Sequence, residues 1–230
     1  MNDASRPCDT HPDLVGFNYP LPHLKAALRH QRKIRIVAIG SSSTAGVAPV
    51  LPYPPRLEMC LRQKFYGRII DVINRGIGGQ EAPEELSRFE PDVFDEAPAL
   101  VIWQVGTNAI YHDYNRAEVA AAIEVGLQWL AGSSADVVLM DLQYTQAMIE
   151  KLKASEDMVA LSSAAAAKAK VNIFQRFALM RRWVDDKVVQ IGDLDDGVAP
   201  HLHTGEWATN CITQALCGAI EQAVAAEATT

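Results

Sequence analysis

Residues 34–46 read IRIVAIGSSSTAG. Ile34, Ile36, Val37, Ala38 and Ile39 form a short β-branched apolar run, the pattern of a parallel strand covered on both faces. Gly40 permits a tight turn. Ser41, Ser42, Ser43 and Thr44 follow, and Ala45-Gly46 lets another backbone come close. In open α/β sheets, ligands bind at the carboxyl ends of strands. A serine held there can act as a nucleophile, or can bind an anion through hydroxyl and N–H groups. Read locally, the same run is equally a hydroxyl-rich helix cap.

Outward from this stretch the strand-then-turn pattern recurs. Arg68 to Asn74 (RIIDVIN) is a second strand, followed by Arg75-Gly76-Ile77-Gly78-Gly79-Gln80. Ala99 to Val105 (ALVIWQV) is a third, ending in Gly106-Thr107-Asn108. Asp136 to Met140 is a fourth, with Asp141, Gln143 and Tyr144 just beyond, and Val171 to Phe174 a short fifth. Helical patterns fall between them: His23–His30, a segment entered at Pro55 and closed near Gly67, Ala82–Phe89, and a segment capped by Asn115 and running to Ala131. Thr145–Lys170 is a long one, broken near Ser155, and Arg176–Asp186 and Glu206–Ala226 follow. Strands alternating with helices imply an α/β fold, a three-layer α/β/α sandwich on a five-stranded parallel sheet, flavodoxin-like in kind. Residues 1–30 read as an arm with prolines at 7, 12, 20 and 22 and a short helix, and residues 31–230 as one domain.

Composition narrows the function. The chain has 230 residues, 49% hydrophobic and 21% charged, enough for one full core. A formal net charge of −7 argues against a broad nucleic-acid surface. No apolar run approaches transmembrane length. The opening MNDASRPCDT has no basic n-region or apolar h-region, so no signal peptide is read in this chain. The compartment is left open, periplasmic or secreted had a leader been removed. Cys8, Cys60, Cys211 and Cys217 form no Cys-x-x-Cys pair, so no metal or redox motif is read. Cys211 and Cys217 read as buried apolar residues. Cys8 could tether the arm, with a free thiol as the default.

The three turns emerge at one sheet edge, and a loop from Gly192 to Gly205 with three aspartates and two histidines can fold over them. Ser42 can attack an ester carbonyl if His203 or His201 takes its proton. The developing oxyanion needs donors already in place. The N–H groups of Ser42 and Gly79, with the Asn108 amide, would provide three. A side chain at position 79 would obstruct the substrate. Trp103 and Gln104 read as core and its support, Arg181, Arg182 and Trp183 as a helix surface. Asp141, Gln143 and Tyr144 read as pocket lining or as loop packing.

The order of these blocks resembles the SGNH hydrolase superfamily, the GDSL-type esterases and lipases. Gly40-Ser41-Ser42-Ser43-Thr44-Ala45-Gly46 is similar to its first block, Asn74 to Gly79 to its second, and Gly106-Thr107-Asn108-Ala109 to its third. The resemblance spans residues 34–217 and extends to a bacterial subgroup with a GSSSTAG first block. It implies an acyl-ester hydrolase without metal or organic cofactor, with Ser42 as nucleophile and Ser42, Gly79 and Asn108 as the oxyanion hole. Its expected substrate is a small acyl ester or O-acetylated carbohydrate. Alignment past the last loop favours His203 as the base.

Three departures stand out. Ser41 replaces the usual aspartate beside the nucleophile, and Ala109 the aspartate after Asn108. The family's Asp-x-x-His is missing, because Pro200 stands three residues before His203 and Val198 three before His201. The acid is then Asp196, the leading candidate, or Asp195 or Asp193, brought in by a rearranged loop; otherwise a Ser-His dyad works alone. Loss of the acid implies slow turnover rather than none. Two other functions compete. A degenerate, non-catalytic carbohydrate-binding protein would keep the fold without turnover. A flavodoxin-like protein would cradle FMN phosphate in SSSTAG, but it leaves Gly79, Asn108 and His203 without roles.

Overall fold

Five strands form one parallel sheet: β1 (Lys33–Gly40), β2 (Ile69–Gly76), β3 (Leu100–Gln104), β4 (Asp136–Met140) and β5 (Asn172–Phe174). Their order is β2-β1-β3-β4-β5. The computed structural model describes residues 6–226. The polar start read for residues 1–5 and the tail past residue 226 lie outside the described residues. Every residue of β3 and β4 is buried, as is β1 from Ile36 onward. That double-sided burial is why these segments read as unbroken apolar runs.

The helices are α1 (Pro12–Val15), α2 (Pro22–His30), α3 (Ser42–Ala45), α4 (Tyr53–Lys64), α5 (Ala82–Leu86) and α6 (Thr107–Tyr111). After them come α7 (Arg116–Ala131), α8 (Gln146–Ile149), α9 (Leu152–Ala169), α10 (Arg176–Asp185) and α11 (Glu206–Ala225). The step from β1 to β2 runs one way across the sheet and all later steps run the other. With right-handed crossovers, α4 falls on one face and α5, α7 and α9 on the other. The packing agrees: α11 lies against α4, α1 and α2, while α7 lies against α5 and α9. The order reverses between β1 and β3, so the topological switch point, outside whose carboxyl ends sheets of this kind bind ligands, lies between those two strands.

The structure corrects several expectations. The arm is not simply extended: Pro12–Val15 makes one helical turn, and Val15, Leu21, Leu24 and Leu28 join the core. The break in the long helix falls at Glu150–Lys151, not Ser155, whose hydroxyl bonds the Met148 carbonyl at 2.9 Å from inside α9. A π-helical turn at Glu90–Phe94 and the short α6 were not read from sequence. Trp183 is buried rather than on a helix surface, its Nε1–H donating to the Asp9 carbonyl at 2.6 Å.

Of the cysteine expectations, the free-thiol default is overturned, whereas Cys211 and Cys217 are buried as read. Cys8 is bonded to Cys211 and Cys60 to Cys217, leaving no free cysteine among the described residues. Cys211 and Cys217 lie six positions apart on α11, so they face different neighbours around a helix of 3.6 residues per turn. One meets the arm and the other meets α4. Bridges spanning 203 and 157 residues leave no spacing signature. Among the described residues no helix is long and apolar enough to cross a membrane.

Candidate active site

Ser42 opens α3 immediately after β1. Its neighbours are tied down on both sides. The Ser41 N–H and hydroxyl donate to Gln104 Oε1 at 3.1 and 3.0 Å, and the Thr44 hydroxyl reaches the same oxygen at 3.3 Å. The Ser43 hydroxyl donates to Gln143 Oε1 at 2.9 Å. The Ser42 hydroxyl is the one facing His203, with Oγ 2.9 Å from Nε2. Ser41 is buried and turned toward Gln104, away from this pair.

The loop before α11 is a narrow hairpin. An antiparallel bridge joins Asp195 to Thr204, the Asp196 N–H donates to the His203 carbonyl at 3.1 Å, and the Gly205 N–H to the Leu194 carbonyl at 2.9 Å. Asp196 therefore lies beside His203 across the hairpin rather than three residues before it. Its Oδ1 accepts the Val198 N–H at 3.0 Å, and its Oδ2 lies 4.0 Å from His203 Nδ1. Burial holds the His203 imidazole below its ordinary value, with the Asp196 charge pulling the other way. The net shift favours the neutral imidazole, the form able to accept a proton.

The glycine-rich turn after β2 packs directly on this elbow. A Cβ on Gly76 would lie 2.1 Å from the Ala45 nitrogen, so only glycine allows β2 to end there. Asn74 Nδ2 donates to the Thr44 carbonyl at 2.8 Å, fastening the second block to the first. Gly79 has φ +82°, a left-handed angle that suits glycine, and a Cβ there would meet nothing within 4 Å. The space at position 79 is open.

Asn108 is buried in the first turn of α6. One of its amide hydrogens goes to the Gln80 carbonyl at 2.7 Å, which fixes the side chain and leaves the second hydrogen for a ligand. The turn is held by Glu81, which accepts the Gly106 N–H at 2.8 Å, the Ala109 N–H at 2.8 Å and the Ala82 N–H at 3.0 Å. Glu81 thus supplies the side-chain acceptors of the turn that carries Ala109. Beside it Glu85 is fully buried, accepts the Trp103 indole N–H at 2.7 Å, and is pushed well above the carboxylate range by burial and by Glu81.

The structure brings Ser42, His203, Asp196 and the Asn108 turn to one edge and leaves other candidates elsewhere. Asp193 is exposed and accepts the Gln190 N–H at 3.0 Å. Asp195 accepts the Gly197 N–H at 2.8 Å and lies 3.3 Å from His201 Nδ1, so this pair serves the hairpin's other face. Asp141 is buried, accepts the Phe177 N–H at 3.0 Å and is pushed up to about 7 by burial, which makes it packing at the start of α10. Tyr144 sets its ring edge-on to Phe177. Glu81 was missed in the sequence, where nothing marks an isolated glutamate as a strap between two loops. Two grooves of about 580 and 660 Å³ lie on other surfaces, one lined by His23, His30, Arg35 and Phe94, the other by Tyr114 and Arg116. Among the described residues no cluster of three or more His, Cys, Asp or Glu side chains is arranged to hold a metal ion.

The model of the non-GDSL lipase-like family matches residues 7–226. No curated protein sequence matches significantly. Solved structures with this fold include a catalytic mutant of Axe2, an acetylxylan esterase from Geobacillus stearothermophilus. It is 16% identical, with a TM-score of 0.71 over 81% of this chain and 94% of that one. LAE5, an alpha/beta hydrolase enzyme from the metagenome of Lake Arreo, Spain, is 17% identical, with a TM-score of 0.68 over 81% and 94%. TesA is 20% identical, with a TM-score of 0.67 over 82% and 99%.

Proposed function

Because the chain belongs to the non-GDSL lipase-like family, we propose that it is a serine ester hydrolase of SGNH type acting on small acyl esters. The observation that carries this is the 2.9 Å contact between Ser42 Oγ and His203 Nε2 at the carboxyl edge of the sheet. In this reading Nε2 accepts the hydroxyl proton as Oγ attacks the ester carbonyl. The carbonyl π electrons move onto oxygen, and the N–H groups of Ser42 and Gly79 and the Asn108 amide stabilise the charge. Collapse breaks the ester C–O bond, and His203 gives its proton to the leaving alkoxide. Water then repeats the sequence on the acyl-serine, releasing the acid and restoring Ser42.

Asp196 is the third member in this proposal. It faces Nδ1 and favours the tautomer that leaves Nε2 free, as well as the imidazolium that forms. At 4.0 Å it acts mainly through charge, so turnover falls below that of a triad with a direct hydrogen bond. The substrate class is drawn from the structural relatives. Axe2 is an acetylxylan esterase, which supports O-acetylated carbohydrate alongside simple acyl esters.

Hydrolysis of p-nitrophenyl acetate and longer acyl esters by wild type, Ser42→Ala and His203→Ala tests the reading. Turnover in wild type that is lost in both variants is expected. Wild-type turnover equal to that of Ser42→Ala would shift the reading to a binding protein that keeps the fold without the chemistry.

A further inference from the structure

Gln143 lies in the connection after β4, fully buried, and its single amide joins three chain segments. Its Oε1 accepts the Ser43 hydroxyl at 2.9 Å and the Thr107 hydroxyl at 3.1 Å, and its Nε2 donates to the Leu202 carbonyl at 2.6 Å. The orientation is forced. A carbonyl oxygen can only accept, so the NH₂ must face Leu202 and the oxygen must face the hydroxyls. Ser43 follows the nucleophile, Thr107 precedes the oxyanion asparagine, and Leu202 precedes the base. The Thr145 hydroxyl also reaches the Leu202 carbonyl, but at 3.4 Å.

We propose that Gln143 is a positioning residue, which sets the Ser42–His203 contact by holding the Leu202 carbonyl while its oxygen fixes the nucleophile turn. This deepens the serine-esterase reading and rests on it. The hairpin carrying His203 is otherwise joined to the sheet edge by few bonds, among them the Ala147 N–H to the His201 carbonyl at 3.3 Å. Without the amide donor, the imidazole is free to drift from Oγ. A displacement of about 1 Å at reacting groups costs on the order of 10²-fold in rate.

Gln143→Glu tests this with a signature that general damage lacks. The variant keeps shape and one acceptor oxygen but turns the donor into an acceptor. Ionised, it sets two acceptor oxygens face to face at the Leu202 contact. Protonated, it donates again. Burial raises a carboxyl pKa, so the protonated form is reached on the acid side. The readout is the ratio of variant to wild-type kcat across pH, with melting temperatures taken at each pH to establish a folded protein. The ratio should be about 10⁻² at alkaline pH and rise toward 1 as pH falls, at little-changed KM. A ratio that is low but flat with pH overturns the proposal, as does a ratio near 1 throughout when Gln143→Met also keeps wild-type kcat.

Gln143→Met provides the check should the carboxyl variant fail to fold. It keeps the volume and loses all three bonds, so kcat should fall about 10²-fold at every pH, and wild-type kcat would refute the proposal. A second readout needs no turnover. The His203 ring resonance should move between acid and alkaline conditions in Gln143→Glu beyond its titration in wild type. If wild type hydrolyses nothing above Ser42→Ala, the esterase reading fails, and that resonance alone decides the positioning role. An unchanged titration then overturns it, and a shifted one supports it.

Discussion

Replacing Asp196 with asparagine tests whether the carboxylate across the hairpin is the catalytic acid. Its Oδ2 stands 4.0 Å from His203 Nδ1, with the two side chains 5% and 23% exposed. Proton transfer from Ser42 puts a positive charge on the imidazole in the transition state that is absent in the ground state. At an effective dielectric constant of about 20, a unit pair at this distance interacts by about 4 kcal/mol. Neither group is far into solvent, so most of that value survives, and kcat should fall about 10²- to 10³-fold. A direct aspartate–histidine bond in serine proteases is worth about 10⁴, so the predicted loss is smaller, as the longer contact requires. Asparagine keeps the oxygen that accepts the Val198 N–H, so the hairpin should stay folded. A second effect has a fixed sign. The Asp196 charge pulls the imidazole pKa up against burial. Its removal lowers that pKa, and the acid limb of kcat/KM moves to lower pH. Initial rates on p-nitrophenyl acetate from pH 4 to 9 measure both, with Asp195→Asn as the control expected to stay near wild type. A loss under about threefold with an unmoved acid limb would refute the assignment and leave a Ser-His dyad.

In the wild type, kcat/KM should fall on the acid side with a midpoint below 6.5, because burial favours the neutral imidazole; a midpoint above 6.5 in the pH–rate profile would contradict this. Asn108→Ala removes one oxyanion donor and should lower kcat by about 10²- to 10³-fold with little change in KM, read by steady-state kinetics. Replacing both Cys60 and Cys217 with alanine, with Cys8–Cys211 kept, opens a loop made of the 52 residues from Cys8 to Cys60 and the 6 from Cys211 to Cys217. Chain entropy for that loop gives about 4 kcal/mol of lost stability, measured by urea unfolding; a loss below about 1 kcal/mol would count against either the bridge or the entropic account.

The strands were legible because a segment buried on both faces has a recognisable composition. Ile34 to Ile39 and Ala99 to Val105 carry almost no polar residue, and each ends in small turn-forming residues. Ser42, Gly79 and Asn108 drew notice only together, because each run taken alone is equally a cap or a turn, and the candidate roles came from the order of the blocks and the resemblance it carries. Which aspartate faces His203 was not resolvable by spacing. The alternation of the hairpin decides it, turning Asp195 toward His201 and Asp196 toward His203. The disulfides were illegible because their partners meet only after α11 packs against the arm and α4. Glu81 and Gln143 gave no signal of their hub positions, since their roles exist only where separate loops converge.

The division of labour at this edge follows from what each group must do. On the serine-esterase reading, Ser42 and His203 must be reached by substrate, and they sit where a loop meets the sheet edge, among the less constrained parts of an α/β fold. Rigidity therefore has to come from below, and here it comes from buried polar side chains with several bonds each. Gln104 holds the serine turn, Glu81 holds the asparagine turn, and Gln143 ties both to the histidine hairpin. Apolar contacts alone would fill the same volume without fixing directions, whereas a hydrogen bond weakens steeply when its angle fails. Burying Glu81 beside Glu85 carries a desolvation cost that shows in the raised pKa of both. Three backbone N–H donors offset it for Glu81, and those same donors lie on α5 and on either side of Asn108. The stabilisation of the buried carboxylate and the alignment of the Asn108 amide thus come from one set of bonds. Substitutions at these hubs should accordingly act on the geometry of the exposed groups before they act on the fold's core.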